Sequence, residues 1–214
     1  MECQNNQFTV AILSKMVNRK MGNFIRMHKI ILISLTLFFM ACGQSYTPKP
    51  YGYFRVYLPP HEYRILENEK LPFSFEYSKR ATIVERTQAH EKYWFDLIYP
   101  QFNVALHVSY KPVNGNFREL TEDARTFVYK HSIKADNISE LAFDNAAKNT
   151  HGILYDLKGN TASNLQFTLT DSTRHFLRGA LYFDNVPNKD SIAPMVNYIR
   201  KDMVRLMESF SWKK

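Results

Sequence analysis

Cysteine is nearly absent from this 214-residue chain, which has only Cys3 and Cys42. So few thiols exclude a disulfide framework and a cysteine-based zinc site. Glycine is scarce as well, at seven residues. Its one loop cluster, Gly159-Asn160-Thr161-Ala162-Ser163, lacks the glycine spacing and following helix of a phosphate cradle and reads as a hairpin turn. Long apolar runs are missing: the stretch Ile30–Met40 is about half of the ~20 residues that a bilayer span needs. A strong excess of one charge is missing too. The chain carries 28 basic and 20 acidic residues, a formal +8, but five of the basic ones lie before residue 43. The remainder, 23 basic against 19 acidic, is mildly positive. That balance gives no support for nucleic-acid binding and only a weak attraction to anionic lipid headgroups.

What is present begins with an address. Met27-His28-Lys29 gives a basic start, Ile30–Met40 an apolar core, and Ala41 a small residue before a cleavage point. This is the build of a secretory signal. The cysteine directly after it is the informative residue, because Phe39-Met40-Ala41-Cys42 resembles the bacterial lipobox. There the cysteine sulfur is acylated with palmitate-class chains and the freed amine becomes the mature N-terminus. Two or more acyl chains anchor a protein stably, whereas one chain is marginal. The signal is complete from Met27, so translation is expected to start there (or at Met21). Residues 1–41 therefore read as signal, 42–52 as a lipidated, proline-bearing tether and 53–214 as one domain. With Cys42 acylated, that domain has no thiol, and its stability must come from a core rich in aromatics, which make up 14% of the chain.

Alternating or β-rich segments follow the tether: 53–58, 73–77, 81–84, 93–99 and 104–110. A helix is expected from Asn116 as cap, with Leu120, Ala124, Phe127, Val128 and His131 on one face. Strands at 140–143, 152–158, 165–170 and 174–183 come next. The chain closes with a helix capped by Asp190 or Ser191, with Pro194 in its first turn. Its stripe is Ile192, Val196, Ile199, Met203, Leu206 and Phe210. The pattern predicts one α+β domain, a mostly antiparallel sheet with packed helices, in an element order that resembles the Mog1/PsbP-type sandwich.

Candidate chemistry is thin. His107, His131, His151 and His175 lie on or beside these elements, but none pairs at metal-ligand spacing, so neither a metal nor a cofactor is expected. Asp171-Ser172-Thr173-Arg174-His175 contains the residue types of a hydrolase set. Strand alternation would point Ser172 and His175 apart, and no glycine-flanked nucleophile elbow is present, so a turn is the better reading. Asp171-Ser172-Thr173 and Asp190-Ser191-Ile192 both resemble the tripeptide at which Bacteroidetes O-glycosylate exported proteins.

Several blocks together resemble the gliding-motility lipoprotein GldD family of Bacteroidetes. They are Pro48–Arg55, Phe73–Tyr77, Lys130–Asp136, Gly152–Asn160, Thr168–Phe183, Pro187–Pro194 and Phe210–Lys213. The resemblance implies a role in gliding and in type IX secretion, with no assigned reaction and no catalytic residues. Two functions of different class are thus in view. One is a non-catalytic accessory lipoprotein that binds or stabilises envelope partners at the periplasmic face of the outer membrane, with the inner membrane as the alternative location. The other is a periplasmic enzyme or small-ligand binder with a site near His107, His175 and Arg178.

Overall fold

In a computed structural model, residues 56–86, 92–184 and 188–213 are described; Cys42 and its tether lie outside them. The described residues all fall within one compact unit, Gly52–Lys214. Period-two alternation is translated directly into strands. β1 (Tyr63–Leu66) and β2 (Phe73–Ser78) pair with the short β10 (Ser211–Trp212) in an antiparallel three-stranded sheet. β3 (Thr82–Glu85), β4 (Phe95–Tyr99), β5 (Val104–Pro112), β6 (Ala135–Asn145), β7 (Thr150–Gly159), β8 (Leu165–Thr170) and β9 (His175–Phe183) form a second sheet. Its order is β3-β4-β5-β9-β8-β7-β6, and every pairing is antiparallel. Among the described residues two α-helices complete the fold, α1 (Phe117–Tyr129) between β5 and β6 and α2 (Lys189–Ser209) between β9 and β10. The expected α+β class with a mostly antiparallel sheet is what this topology is.

The core lies between the large sheet and a cover made by α2 and the small sheet. Leu106, Leu165, Leu169, Leu177 and Leu181 face it from the large sheet, each at most 1% exposed. Phe73 and Phe75 answer from β2: the Phe75 and Phe95 rings stack at 5.8 Å, and Phe210 stacks on both β2 phenylalanines. Truncating a phenylalanine buried this way costs about 3–5 kcal/mol. Glycine is dictated at one core position, Gly179 on β9. Phe167 is its register partner on β8, and a Cβ there would stand 2.2 Å from that ring.

The stripe read for α2 is largely correct, with Ile192, Ile199, Met203, Leu206 and Phe210 buried and Val196 half-buried against the core. Its cap is Asn188, whose Oδ1 accepts the N–H groups of Asp190 and Ser191, rather than either of those residues. Pro194 accordingly sits two or three residues further into the helix than expected.

The structure departs from expectation at four other places. Tyr57 and Leu58 are in no strand and are exposed; the two prolines that follow remove ladder donors and restrict the residue before them. Residues 53–55 of that expected strand lie outside the described residues, among which the first strand begins at Tyr63. Strand β6 is 11 residues long where four were expected, because as a sheet edge with a solvated outer face it shows no alternation. On α1, Leu120, Ala124 and Val128 are buried as expected, but Phe127 is 46% exposed and His131 lies past the helix end. Asn116 occupies the α1 cap position, but its side chain accepts from the N–H of Asn114 and not from the helix.

Candidate functional site

Strand alternation sends the second set of β5 and β9 side chains to the face opposite the core. On β5 these are His107, Ser109 and Lys111; on β9 they are Phe176, Arg178, Ala180 and Tyr182. The register places Ser109 opposite Arg178 and His107 opposite Ala180. Helix α1 crosses above them, and Leu120, Asp123, Ala124 and Phe127 point downward because spacings of three and four share one helical face. Between floor and roof lies a cavity of about 270 Å³, closed on the β4 side by Arg86 and Trp94. That is just under the ~300–1,000 Å³ of drug-sized ligand sites.

Arg178 is the chemically loaded residue of this cavity. One terminal nitrogen donates to Gln166 Oε1 at 2.6 Å, and the guanidinium carbon lies 5.0 Å from the Phe127 ring centroid. Its Nε–H is buried without a partner, as is Gln166 Nε2. Burial pulls the guanidinium pKa down, and the Tyr182 hydroxyl beside it opposes that pull. An unpaired buried N–H costs on the order of 1–3 kcal/mol. His131 feels the same charge: burial first, then Arg178, lower its pKa.

His107 is oriented by a residue the sequence did not single out. Its Nδ1 lies 2.7 Å from Asp96 Oδ1 and also against a terminal nitrogen of Arg86, whose Nε donates to the same carboxylate at 2.9 Å. Arg86, Asp96 and His107 thus form one ion-pair cluster at the mouth of the cavity. No nucleophile is held against it: the Ser109 hydroxyl is turned to the Arg178 carbonyl at 3.4 Å.

His175 does not join this group. One strand position separates it from Phe176, so it emerges on the core face, stacked on Trp212 at 4.8 Å and bonded through Nδ1 to the Tyr110 hydroxyl at 2.8 Å. Burial, with Arg174 nearby, lowers its pKa, although Asp171 pulls the other way. The expected neighbourhood of His107, His175 and Arg178 is therefore corrected to His107 and Arg178, because an odd residue spacing on β9 sends His175 through the sheet.

The remaining candidates are structural where they are described. Asp171 Oδ1 accepts the backbone N–H groups of Thr173, Arg174 and His175 at 3.1, 2.8 and 2.8 Å, closing the β8–β9 hairpin. Burial pushes that carboxyl up, and the three donors outweigh it and hold it below the usual range. Ser172 sits at the tip with φ of 63°, exposed, and Ser191 is exposed near the start of α2. His151 pairs with Asp144 at the open β6–β7 edge. Asn164 Nδ2 donates to the carbonyls of Leu157 and Gly159, tying down the loop between β7 and β8, which are antiparallel neighbours as read. Among the described residues no group of three or more His, Cys, Asp or Glu is gathered in a way that could hold a metal. No described helix is long and apolar enough to cross a membrane.

A second polar cluster escaped the sequence reading. Asp202 on α2 is 2% exposed; His61 Nδ1 donates to its Oδ1 at 2.7 Å, and the Tyr99 hydroxyl donates to Oδ2 at 3.2 Å. The His61 ring stacks on Tyr198 at 4.2 Å. Burial and Asp202 push the Tyr63 hydroxyl up to about 12. The one available signal was an aspartate set inside the apolar stripe, three residues after Ile199 and four before Leu206.

Comparison with known proteins places the chain at family level. The family model described as "Gliding motility lipoprotein GldD" matches residues 43–212. No curated protein matches the sequence. Among solved structures, the solution structure of cyanobacterial PsbP (CyanoP) from Synechocystis sp. PCC 6803 is similar at 12% identity and a TM-score of 0.47. That alignment covers 72% of this chain and 95% of that one. At that score the likeness supports no argument about function.

Proposed function

This chain belongs to the gliding motility lipoprotein GldD family, and from that premise we propose that it is a lipid-anchored, non-catalytic accessory of the gliding and type IX secretion machinery. It works by binding or stabilising envelope partners. The observation that carries this reading is the extent of the family match, which begins at Gly43, directly after the lipobox cysteine, and runs through the last strand. Acylated Cys42 supplies the anchor, the segment 43–52 the spacer, and the packed domain the partner surface. Gly43 follows the cysteine where enterobacterial inner-membrane lipoproteins carry aspartate, and no acidic cluster resembling a surface-export signal follows. Both points favour the periplasmic face of the outer membrane.

A gliding and secreting host is the system in which to test this. Crosslinking the tagged, full-length protein in intact cells, then purifying it from membranes, should recover the same one or few envelope proteins each time. Deleting the gene should reduce the abundance or assembly of those proteins. Recovery of the lipoprotein alone at every crosslinker length, with partner levels unchanged in the deletion, would contradict the accessory role.

A further inference from the structure

We propose that the cavity beneath α1 binds a small amphipathic anion, a carboxylate carried on a compact apolar group, with the carboxylate seated on Arg178. This goes beyond the anchoring role and does not rest on it. The walls supply the apolar half of the recognition: Trp94, Leu120, Phe127 and Phe176 line a space suited to a ligand smaller than a drug-sized one. The floor supplies the charged half. A guanidinium is pulled under the helix, its pKa lowered by burial, and no carboxylate is among the groups that act on it. Its protein partners are the neutral amide of Gln166, the face of Phe127 and the Tyr182 hydroxyl, none of which carries a carboxylate's charge. A half-buried guanidinium that lines a cavity and has only neutral partners can take up an anion's charge there.

A carboxylate on an apolar group suits both the guanidinium and the mostly apolar walls. A guanidinium presents planar, parallel N–H donors that match two carboxylate oxygens, and the surrounding apolar walls strengthen such bonds by excluding water. His107, aligned by Asp96, and the Tyr182 hydroxyl stand beside the same floor. Asp123 is the carboxylate that lines the cavity, and it is exposed on the helix. One chemistry then has two sources: a free aryl- or alkyl-carboxylic acid, or the C-terminal carboxylate of a protein that ends in an apolar residue.

The test uses the full chain in lipid nanodiscs and calorimetric titration, with Trp94 fluorescence as a second signal. The probes are 3-phenylpropionate, its amide, a short peptide ending in phenylalanine with a free carboxylate, and the same peptide amidated. We expect saturable binding of at least one carboxylate probe, with its amide weaker by ten- to hundredfold, the worth of a hydrogen bond to a charged group. Binding of the free acid alone assigns the small-molecule source, and binding of the peptide assigns the chain-terminus source. Arg178→Gln should remove the preference for carboxylate over amide. Ser109→Phe should block both by filling the floor while leaving the Arg178–Gln166 bond in place, and it serves as the arbiter if Arg178→Gln unfolds. Equal affinity for acid and amide would overturn the proposal. So would undiminished binding in folded Ser109→Phe, or no saturable binding by any probe.

Discussion

His175 shows what a titratable side chain does when it is spent on packing. It sits between Trp212 and Tyr110 at the junction of the two sheets, and its burial favours the neutral ring. A histidine whose folded pKa lies below its unfolded value binds protons more readily when the chain unfolds. The stability it contributes is therefore complete above the ordinary value of 6.5 and is lost as pH falls from there towards the folded pKa. His131 acts in the same direction and window. The thermal midpoint should fall between pH 7 and pH 5, and His175→Phe should flatten that fall while leaving gliding and secretion intact. Midpoints measured at both pH values check it. An unchanged pH slope in the variant contradicts the packing role, as does a folded, normally abundant variant that is null for secretion. Asp171 works in a separate, more acidic window: its depressed carboxyl adds stability that is lost as pH falls through and below 3.8.

Among the elements, α2 carries the most structure. It was also the most legible, since its stripe at spacings of three and four is the pattern that buries one helical face. What the pattern hid was Asp202, which lies on the buried face and is reached by His61 and Tyr99 from elements far away in sequence. No local signal announces such partners, because they meet only once the fold has formed. Removing Asp202 leaves His61 and Tyr99 without their acceptor, and breaking a buried pair typically costs about 3–5 kcal/mol. Part of His61 is exposed, so Asp202→Ala should fall at the lower end of that range in chemical denaturation. A change below about 0.5 kcal/mol, the level of an ordinary surface substitution, would mean the cluster does not hold α2 in place. Short or edge strands were the least legible. Strand β1 is four residues with a mixed pattern, and β6 is a solvated edge whose outer positions follow no alternation.

For the molecule as a whole, the fold class and the family were readable from the chain, and the cavity was readable only in part. His107 and Arg178 were marked by residue type. Their shared face follows from strand parity, but their adjacency depends on the β5–β9 pairing, which joins segments some 70 residues apart. Trp94, Asp96 and the roof from α1 were invisible for the same reason. The proposed accessory role rests on the lipid anchor together with the family match over residues 43–212. That places the weight of the account on the tether, and so on Cys42. The most direct measurement is metabolic labelling with an alkyne fatty acid, followed by membrane fractionation, of the wild type and Cys42→Ser. The account predicts a labelled, membrane-bound wild type, and an unlabelled variant that is released or left uncleaved and fails in gliding and secretion. Undiminished labelling in Cys42→Ser, or full function without the label, would contradict it.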